Sequence, residues 1–214
     1  MKRLLLVAVL LCAGPVMAPA MAEETQADPF TGGNAEAGAT KAATCLACHG
    51  QGGNSANPDW PKLAGQHASF TYRSLQVLKS GHRQAPMMQP QAMPLNDQDM
   101  KDLAAYFSTQ PASPGVASPD AVKVAQPLYR NGDAARGLPA CAACHGPQGH
   151  GNAGAGYPRI GGQHAKYAAR MLHLYKGQTG MAMENSQTST MAAVASKLTD
   201  AEIDALASYI NGLH

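Results

Sequence analysis

Apolar positions recur at helical spacing along the chain, and no segment shows the two-residue alternation of a strand. The segment QHASFTYRSLQVLKSG (66–81) has this spacing and ends at Gly81. A later segment, NDQDMKDLAAYFSTQP (96–111), offers Asn96 as an N-cap, acidic residues in the first turn and a proline at its end. An earlier one, NAEAGATKAATCLACH (34–49), begins at a second asparagine. The pattern therefore predicts an all-α fold.

The helical segments occur twice in the same order. The stretch PKLAGQHASFTYRSLQVLK (61–79) returns 97 positions later as PRIGGQHAKYAARMLHLYK (158–176). Likewise LNDQDMKDLAAYFS (95–108) returns 103 positions later as LTDAEIDALASYIN (198–211), with Thr199 at the cap position. Such self-similarity indicates an internal duplication.

The segment between the two copies, QPASPGVASPD, is rich in proline, serine and glycine and reads as a linker. We therefore expect two tandem domains, at 23–112 and 120–214, joined by a linker at 113–119.

The first 22 residues have the pattern of a secretory signal peptide. Two basic residues precede an apolar run, which is too short for a comfortable membrane span and ends in small residues before a cleavage site after Ala22. Cys12 lies in this segment and would be removed with it. We expect an exported protein whose mature part has no transmembrane helix.

Charge excludes one class of partner. Without Lys2 and Arg3, the chain has 14 basic and 14 acidic residues and is formally neutral. The first half carries a formal charge of about −2 and the second about +2, with no basic stripe of the kind that nucleic-acid binding requires. We therefore expect no nucleic acid as a partner.

The pentapeptide Cys-x-x-Cys-His occurs once in each half. It reads CLACH at 45–49 and CAACH at 141–145. A lone Cys-x-x-Cys is also compatible with a redox dithiol or half of a zinc site, but a histidine directly after the second cysteine is typical of c-type haem attachment. The motifs predict two covalently bound haem c groups, attached through Cys45, Cys48, Cys141 and Cys144, with His49 and His145 as proximal iron ligands.

The sixth iron ligand decides whether a haem carries electrons or binds small molecules. The duplication selects one pair of methionines, because Met88 and Met191 each lie seven residues before the leucine that precedes the last helix of their half. The other methionine candidates are Met87, Met93, Met181 and Met183. Any single methionine is also compatible with plain core packing.

Three further matched pairs have expected roles near the haems. The carbonyls at or near Pro61 and Pro158 are candidates to accept the Nδ1 proton of the proximal histidines, with a simple turn as the alternative. His67 and His164, both in GQHA, compete as iron ligands but are expected to form a hydrogen bond at a helix start or near a propionate. The third pair is Arg73 and Arg170, on the same helices. These arginines are expected either to contact haem propionates or to lie on a solvated helix face.

These motifs together resemble the cytochrome c4 family. The resemblance rests on CxACHG, the GQHA segments, the methionine seven residues before L-x-D, AAYF and the terminal SYINGLH, and it covers essentially the whole mature chain. It implies two class I-like cytochrome c domains packed about a pseudo-two-fold axis, with the haems near their interface. It also implies axial ligation of the irons by His49, Met88, His145 and Met191.

The resemblance implies a periplasmic electron carrier without a substrate site, often loosely associated with the membrane. The expected donor is a quinol-oxidising complex or a dehydrogenase, and the expected acceptor is a terminal oxidase. Two alternatives stay open. One is the dihaem electron-accepting subunit of a dehydrogenase, such as a flavocytochrome sulfide dehydrogenase. The other is a dihaem peroxidase-type enzyme, which would need an open or labile sixth position on one haem.

Overall fold

The computed structural model describes residue 28 and residues 30–178 and 186–214. The predicted signal peptide (1–22) and two of the methionine candidates, Met181 and Met183, lie outside the described residues.

Regular secondary structure in the described residues is helical, apart from two isolated β-bridges. The first half contains α1 (Ala35–Lys41), α2 (Ala43–His49), α3 (Ala68–Lys79), α4 (Gln89–Ala92) and α5 (Asp97–Ser108). The second half contains α6 (Pro119–Asn131), α7 (Ala142–His145), α8 (Ala165–Gly177), α9 (Ser186–Ala195) and α10 (Asp200–Gly212). Short 3₁₀ turns cover Gln51–Gly53 and Ala134–Arg136. The predicted all-α fold is confirmed.

The predicted helix starts are confirmed at their caps. Asn34 accepts a hydrogen bond from the N–H of Ala37 at the start of α1. Reciprocal capping boxes begin α5 (Asn96 with Asp99) and α10 (Thr199 with Glu202). These side chains pair N–H groups that would otherwise have no partner inside the helix.

The segment before the first Cys-x-x-Cys-His motif differs from expectation. It forms two helices, α1 and α2, which meet at Ala42. The N–H of Ala42 is shared between the carbonyls of Gly38 and Ala39, so the last turn of α1 tightens toward 3₁₀ geometry.

Each half is built around a pair of packed helices. Helix α1 packs on α5, and α6 packs on α10. Helices α3 and α8 pack on the same partners, α5 and α10 respectively. At the α1–α5 crossing, a Cβ on Gly38 would lie 2.1 Å from the carbonyl oxygen of Asp102, so only glycine allows this close approach. In α6 the equivalent contact surface is made by Ala125 and Tyr129, both fully buried.

The two halves are joined by reciprocal hydrogen bonds from the GQHA segments. The amide of Gln66 pairs with the backbone N–H and carbonyl of Arg159, at 2.9 and 2.8 Å. The amide of Gln163 pairs in the same way with the backbone of Lys62, both at 2.9 Å. The duplicated segments therefore contact each other with approximate two-fold symmetry.

A second reciprocal pair lies one turn into α3 and α8. Arg73 donates to the carbonyl of Gly156 at 3.0 Å, and Arg170 donates to the carbonyl of Asp59 at 2.9 Å. Each arginine thus reaches the opposite half of the molecule. Arg73 is half-buried at this interface, so the alternative of a solvated helix face is wrong for it, whereas Arg170 is exposed. Contact of either arginine with haem propionates stays a prediction.

Residues 111–118 connect α5 to α6 without regular secondary structure. The N–H of Gly115 in this stretch donates to the carbonyl of Asn211 at 2.9 Å. We propose that 113–119 is the linker between a domain at 23–112 and a domain at 120–214. Across the part of the chain that the structure describes, every helix is too short or too polar to cross a lipid bilayer.

Candidate haem-binding sites

The two motif histidines have the same environment. His49 ends α2 and His145 ends α7, and they are only 4% and 7% exposed. The Nδ1 atom of His49 lies 2.8 Å from the carbonyl oxygen of Pro61, and that of His145 lies 3.0 Å from the carbonyl oxygen of Pro158. Because a carbonyl can only accept, Nδ1 carries the proton in both rings. The predicted hydrogen bonds to the proline carbonyls are confirmed.

These contacts leave each imidazole in the form that binds a metal ion. Burial lowers the pKa of both His49 and His145, and the bond to the proline carbonyl opposes this only in part. Both rings are therefore neutral near pH 7, with the lone pair on Nε2. A neutral imidazole whose other nitrogen is fixed by a backbone carbonyl is the usual arrangement of a histidine ligand.

The four motif cysteines are free thiols in the structure. Burial raises the pKa of Cys45 and raises that of Cys141 to about 11. A redox dithiol needs a lowered thiol pKa, so this environment argues against that interpretation of the motifs. Among the described residues, no three His, Cys, Asp or Glu side chains are grouped so as to hold a metal ion, which argues against a zinc site.

A cavity of about 310 Å³ lies beside the second motif. The predicted haem attachment residues Cys141 and Cys144 line it. So do the predicted iron ligands His145 and Met191. Aliphatic side chains of the second half form part of its wall, including Leu172, Val194, Leu198, Leu206 and Ile210. An apolar enclosure with a few convergent donors is what a large planar cofactor needs. The thiol, imidazole and thioether donors present here fit a covalently attached haem.

In the first half, exposure separates the methionine candidates. Met87 is 76% exposed and Met93 is 59% exposed, whereas Met88 is half-buried and directly precedes α4. The burial of two matched alanines supports the sequence alignment of the two halves that selected Met88 and Met191. Ala92 and Ala195, which follow these methionines by four residues, are both 0% exposed. Iron ligation by Met88 and Met191 stays a prediction.

The two GQHA histidines have a role that differs from expectation. His67 and His164 occupy the N-cap positions of α3 and α8, but neither ring makes a capping hydrogen bond. Instead, Nε2 of His164 lies 2.9 Å from the hydroxyl and 2.8 Å from the carbonyl oxygen of Ser55 in the other half. The expected hydrogen bond at the helix start is wrong, because the ring of His164 turns toward the interface. The alternative role near a propionate stays a prediction.

Sequence reasoning missed the residues that hold the two halves together. The GQHA repeat predicted a role for its histidines, whereas Gln66 and Gln163 make the paired contacts across the interface. The repeat itself was the available signal, since both glutamines lie at matched positions. Arg83, which lines the cavity of the second half, has no matched partner and gave no such signal.

Comparison with known proteins agrees with this architecture. The family model described as Cytochrome c matches the chain twice, at residues 35–111 and 129–214. Cytochrome c4 of Stutzerimonas stutzeri is 44% identical over 191 residues, which is 85% of this chain and 90% of that protein. The crystal structure of reduced recombinant cytochrome c4 from Pseudomonas stutzeri superposes with a TM-score of 0.82 at 43% identity, covering 85% of this chain and 100% of that one.

A further relative has a more specific name. A thiosulfate dehydrogenase electron acceptor of Stutzerimonas stutzeri is 35% identical over 179 residues, which is 81% of this chain and 81% of that protein.

The double family match confirms two tandem cytochrome c domains, and two haem c groups follow from the two attachment motifs. The chain therefore belongs to the cytochrome c4 family of dihaem electron-transfer proteins.

Proposed function

We propose that this protein is a periplasmic carrier that passes single electrons through two His/Met-ligated haems toward a terminal oxidase. The observation that carries the proposal is the cavity of the second half, which gathers Cys141, Cys144, His145 and Met191 around an apolar space. The predicted signal peptide supports the periplasmic location, and the peripheral membrane association of the family fits delivery to a membrane-bound acceptor.

Each attachment site would be held by the chain's own residues in defined roles. Cys45 and Cys48, and in the second half Cys141 and Cys144, would form the thioether bonds. When bound, each haem would supply an iron that takes up and releases one electron.

The proximal histidines hold a fixed orientation. The carbonyls of Pro61 and Pro158 hold the Nδ1 protons of His49 and His145, so each ring can present Nε2 in only one direction. A ligand that does not reorient keeps the structural change on electron transfer small.

Met88 and Met191 would complete the two coordination spheres. A thioether sulfur stabilises ferrous iron and raises the reduction potential. A closed sixth position also leaves no place for a substrate to bind the iron, which favours a carrier over a peroxidase-type enzyme.

A second candidate is the electron-accepting partner of a dehydrogenase. The relative named as a thiosulfate dehydrogenase electron acceptor favours it, because the similarity extends over most of both chains. The two candidates differ in the donor and share the same haem sites.

The test uses the purified mature holoprotein. We expect the ferrous protein to show no spectral shift with carbon monoxide and to be reoxidised rapidly by membranes that contain a terminal oxidase. A carbon monoxide shift on one haem would contradict the carrier and favour an enzyme. Rapid reduction by a thiosulfate dehydrogenase, together with slow reoxidation by the membranes, would favour the second candidate.

A further inference from the structure

The cavity beside the second Cys-x-x-Cys-His motif is not enclosed by the second half alone. Helix α3 of the first half and the turn that follows it contribute part of the wall, including Phe70, Arg73, Val77 and Arg83. The first half therefore reaches into the space assigned to the second haem.

Arg83 has an unusual set of partners for a half-buried guanidinium. Its Nη2 donates to the hydroxyl of Tyr167 at 2.9 Å and contacts the sulfur of Met171 at 3.1 Å. Both partners are neutral, and both belong to α8 of the second half. A guanidinium has five N–H donors, so these contacts use only part of its capacity.

Two more arginines line the same cavity. Arg73 and Arg159 each have an Nε–H that is buried without a hydrogen-bond partner in the described structure. Burial lowers the pKa of Arg159, as expected for a cation that has been desolvated without an anion beside it. Three guanidinium groups therefore converge on one space.

No acidic side chain lines this cavity among the described residues. A buried charge without a counter-charge is strongly unfavourable, and buried charges in proteins are paired as a rule. Planar guanidinium groups are well suited to carboxylates. The described residues around the cavity supply no anion for these cations, and a haem carries two carboxylates on its propionate side chains.

We propose that Arg83, assisted by Arg73 and Arg159, binds the propionate carboxylates of the haem attached to Cys141 and Cys144. The first half thereby completes the haem site of the second half. This inference rests on the proposed function, since it requires a haem in this cavity. A cation held near the iron also favours the reduced state electrostatically, so Arg83 raises the reduction potential of that haem.

The effect is confined to one haem by the asymmetry of the chain. The stretch of the second half that corresponds to the region of Arg83, residues 177–196, contains no arginine or lysine. Arg170, the counterpart of Arg73, contacts Asp59 and lies over the ring of Tyr167, 5.1 Å from its centroid. The first haem site therefore has no equivalent of Arg83.

The experiment is a potentiometric titration of the holoprotein and four variants. Arg83→Gln removes the charge, Arg83→Lys keeps it, and Arg130→Gln removes an equal charge from an exposed position of α6 outside the cavity. A Met191→Ala variant identifies which transition belongs to the second haem. We expect Arg83→Gln to lower the potential of the second haem alone, Arg83→Lys to restore most of it and Arg130→Gln to change neither haem.

A second readout reports the carboxylate itself. Loss of the guanidinium raises the pKa of a carboxylate that it held, so the potential of the second haem in Arg83→Gln becomes more dependent on pH than in the wild type. If Arg83→Gln does not mature, the pH profiles of Arg83→Lys and the wild type still decide. Arg83→Lys keeps the charge and most of the potential, but without a bidentate contact its potential should depend more on pH than that of the wild type.

The proposal would be overturned if Arg83→Gln left both reduction potentials unchanged. It would also be overturned if Arg130→Gln shifted the potentials of both haems by equal amounts. A wild-type potential that depends on added acetate would overturn it as well, since a solute anion would then occupy the site. Failure of the proposed function appears elsewhere, in the wild-type spectrum, as a haem without methionine ligation or with carbon monoxide binding.

Discussion

Gln66 and Gln163 occupy equivalent positions in the duplicated halves, and each uses its amide to pair with the backbone of the other half. The acceptor oxygen of each amide also receives the N–H of the next residue in its own chain segment, at 3.0 Å in both halves. Each glutamine thus connects the start of its own helix, α3 or α8, to the loop of the other half that contains Pro158 or Pro61. Those loops are the ones whose proline carbonyls hold the proximal histidines, so the interface is continuous with both haem sites.

Removal of one of these amides should weaken the protein measurably. Gln66→Ala leaves a backbone N–H and a carbonyl of Arg159 without partners, at a cost of about 1–3 kcal/mol in the free energy of unfolding. Gln163→Ala should cost a similar amount through the backbone of Lys62. Chemical denaturation of the holoprotein measures both.

The matched control is Gln76→Ala on the exposed face of α3, which should stay within about 0.5 kcal/mol of the wild type. Equal stability of Gln66→Ala and this control would show that the paired amides do not hold the halves together.

Gly38→Ala should destabilise the first half although alanine is the better helix former. The added Cβ would lie 2.1 Å from the carbonyl oxygen of Asp102, so α1 and α5 must separate. Overpacking of this kind costs about 1–3 kcal/mol or more. Ala39→Gly, at the next and exposed position, should cost only the helix-propensity difference of about 1 kcal/mol. Thermal unfolding of both variants shows which of them loses more stability. A Gly38→Ala protein as stable as the wild type would contradict the close helix crossing.

Asp102 should make stability depend on acid pH. Lys41, the N–H of Asn34 and the side chain of Gln98 together lower the pKa of this buried carboxyl to about 2. Because its unfolded pKa is about 3.9, its contribution is complete above that value and is lost as the pH falls from about 4 toward 2. Asp102→Asn should therefore be less stable than the wild type at neutral pH, with a difference that narrows in acid.

The control for this prediction is Asp120→Asn, in an exposed pair with Lys123 at the start of α6. It should follow the wild-type profile, because exposed ion pairs contribute little. If the difference in the free energy of unfolding between Asp102→Asn and the wild type stayed constant from neutral pH to about pH 2, the ionised carboxyl could not be the source of that difference.

Much of the fold was predictable because the relevant signals are local or repeated. Asn34, Asn96 and Thr199 are caps that act within one helical turn, and the duplication fixed the order of helices in both halves. The contacts from His49 and His145 to the prolines were also predicted, since both members of each pair repeat together.

The features that were missed depend on how the halves face each other. His164 was expected to form a hydrogen bond at its helix start or near a propionate, but the partner that the structure shows, Ser55, lies 109 residues away in the sequence. The cavity contact of Arg83 with Tyr167 spans 84 residues, and the described residues of the second half show no counterpart to it. Neither contact follows from helix period or repeat register, because both are set by the orientation of one domain on the other.

The central claim is that Met88 and Met191 are the sixth ligands of the two haem irons, and the far-red absorption band that a methionine sulfur gives to ferric haem tests it most directly. We predict a wild-type band of the intensity of two methionine-ligated haems, reduced to half by Met88→Ala or by Met191→Ala. The exposed neighbour Met87 is the control, and Met87→Ala should leave the band intact. A full band in Met88→Ala or Met191→Ala, or a half-intensity band in the wild type, would contradict the account.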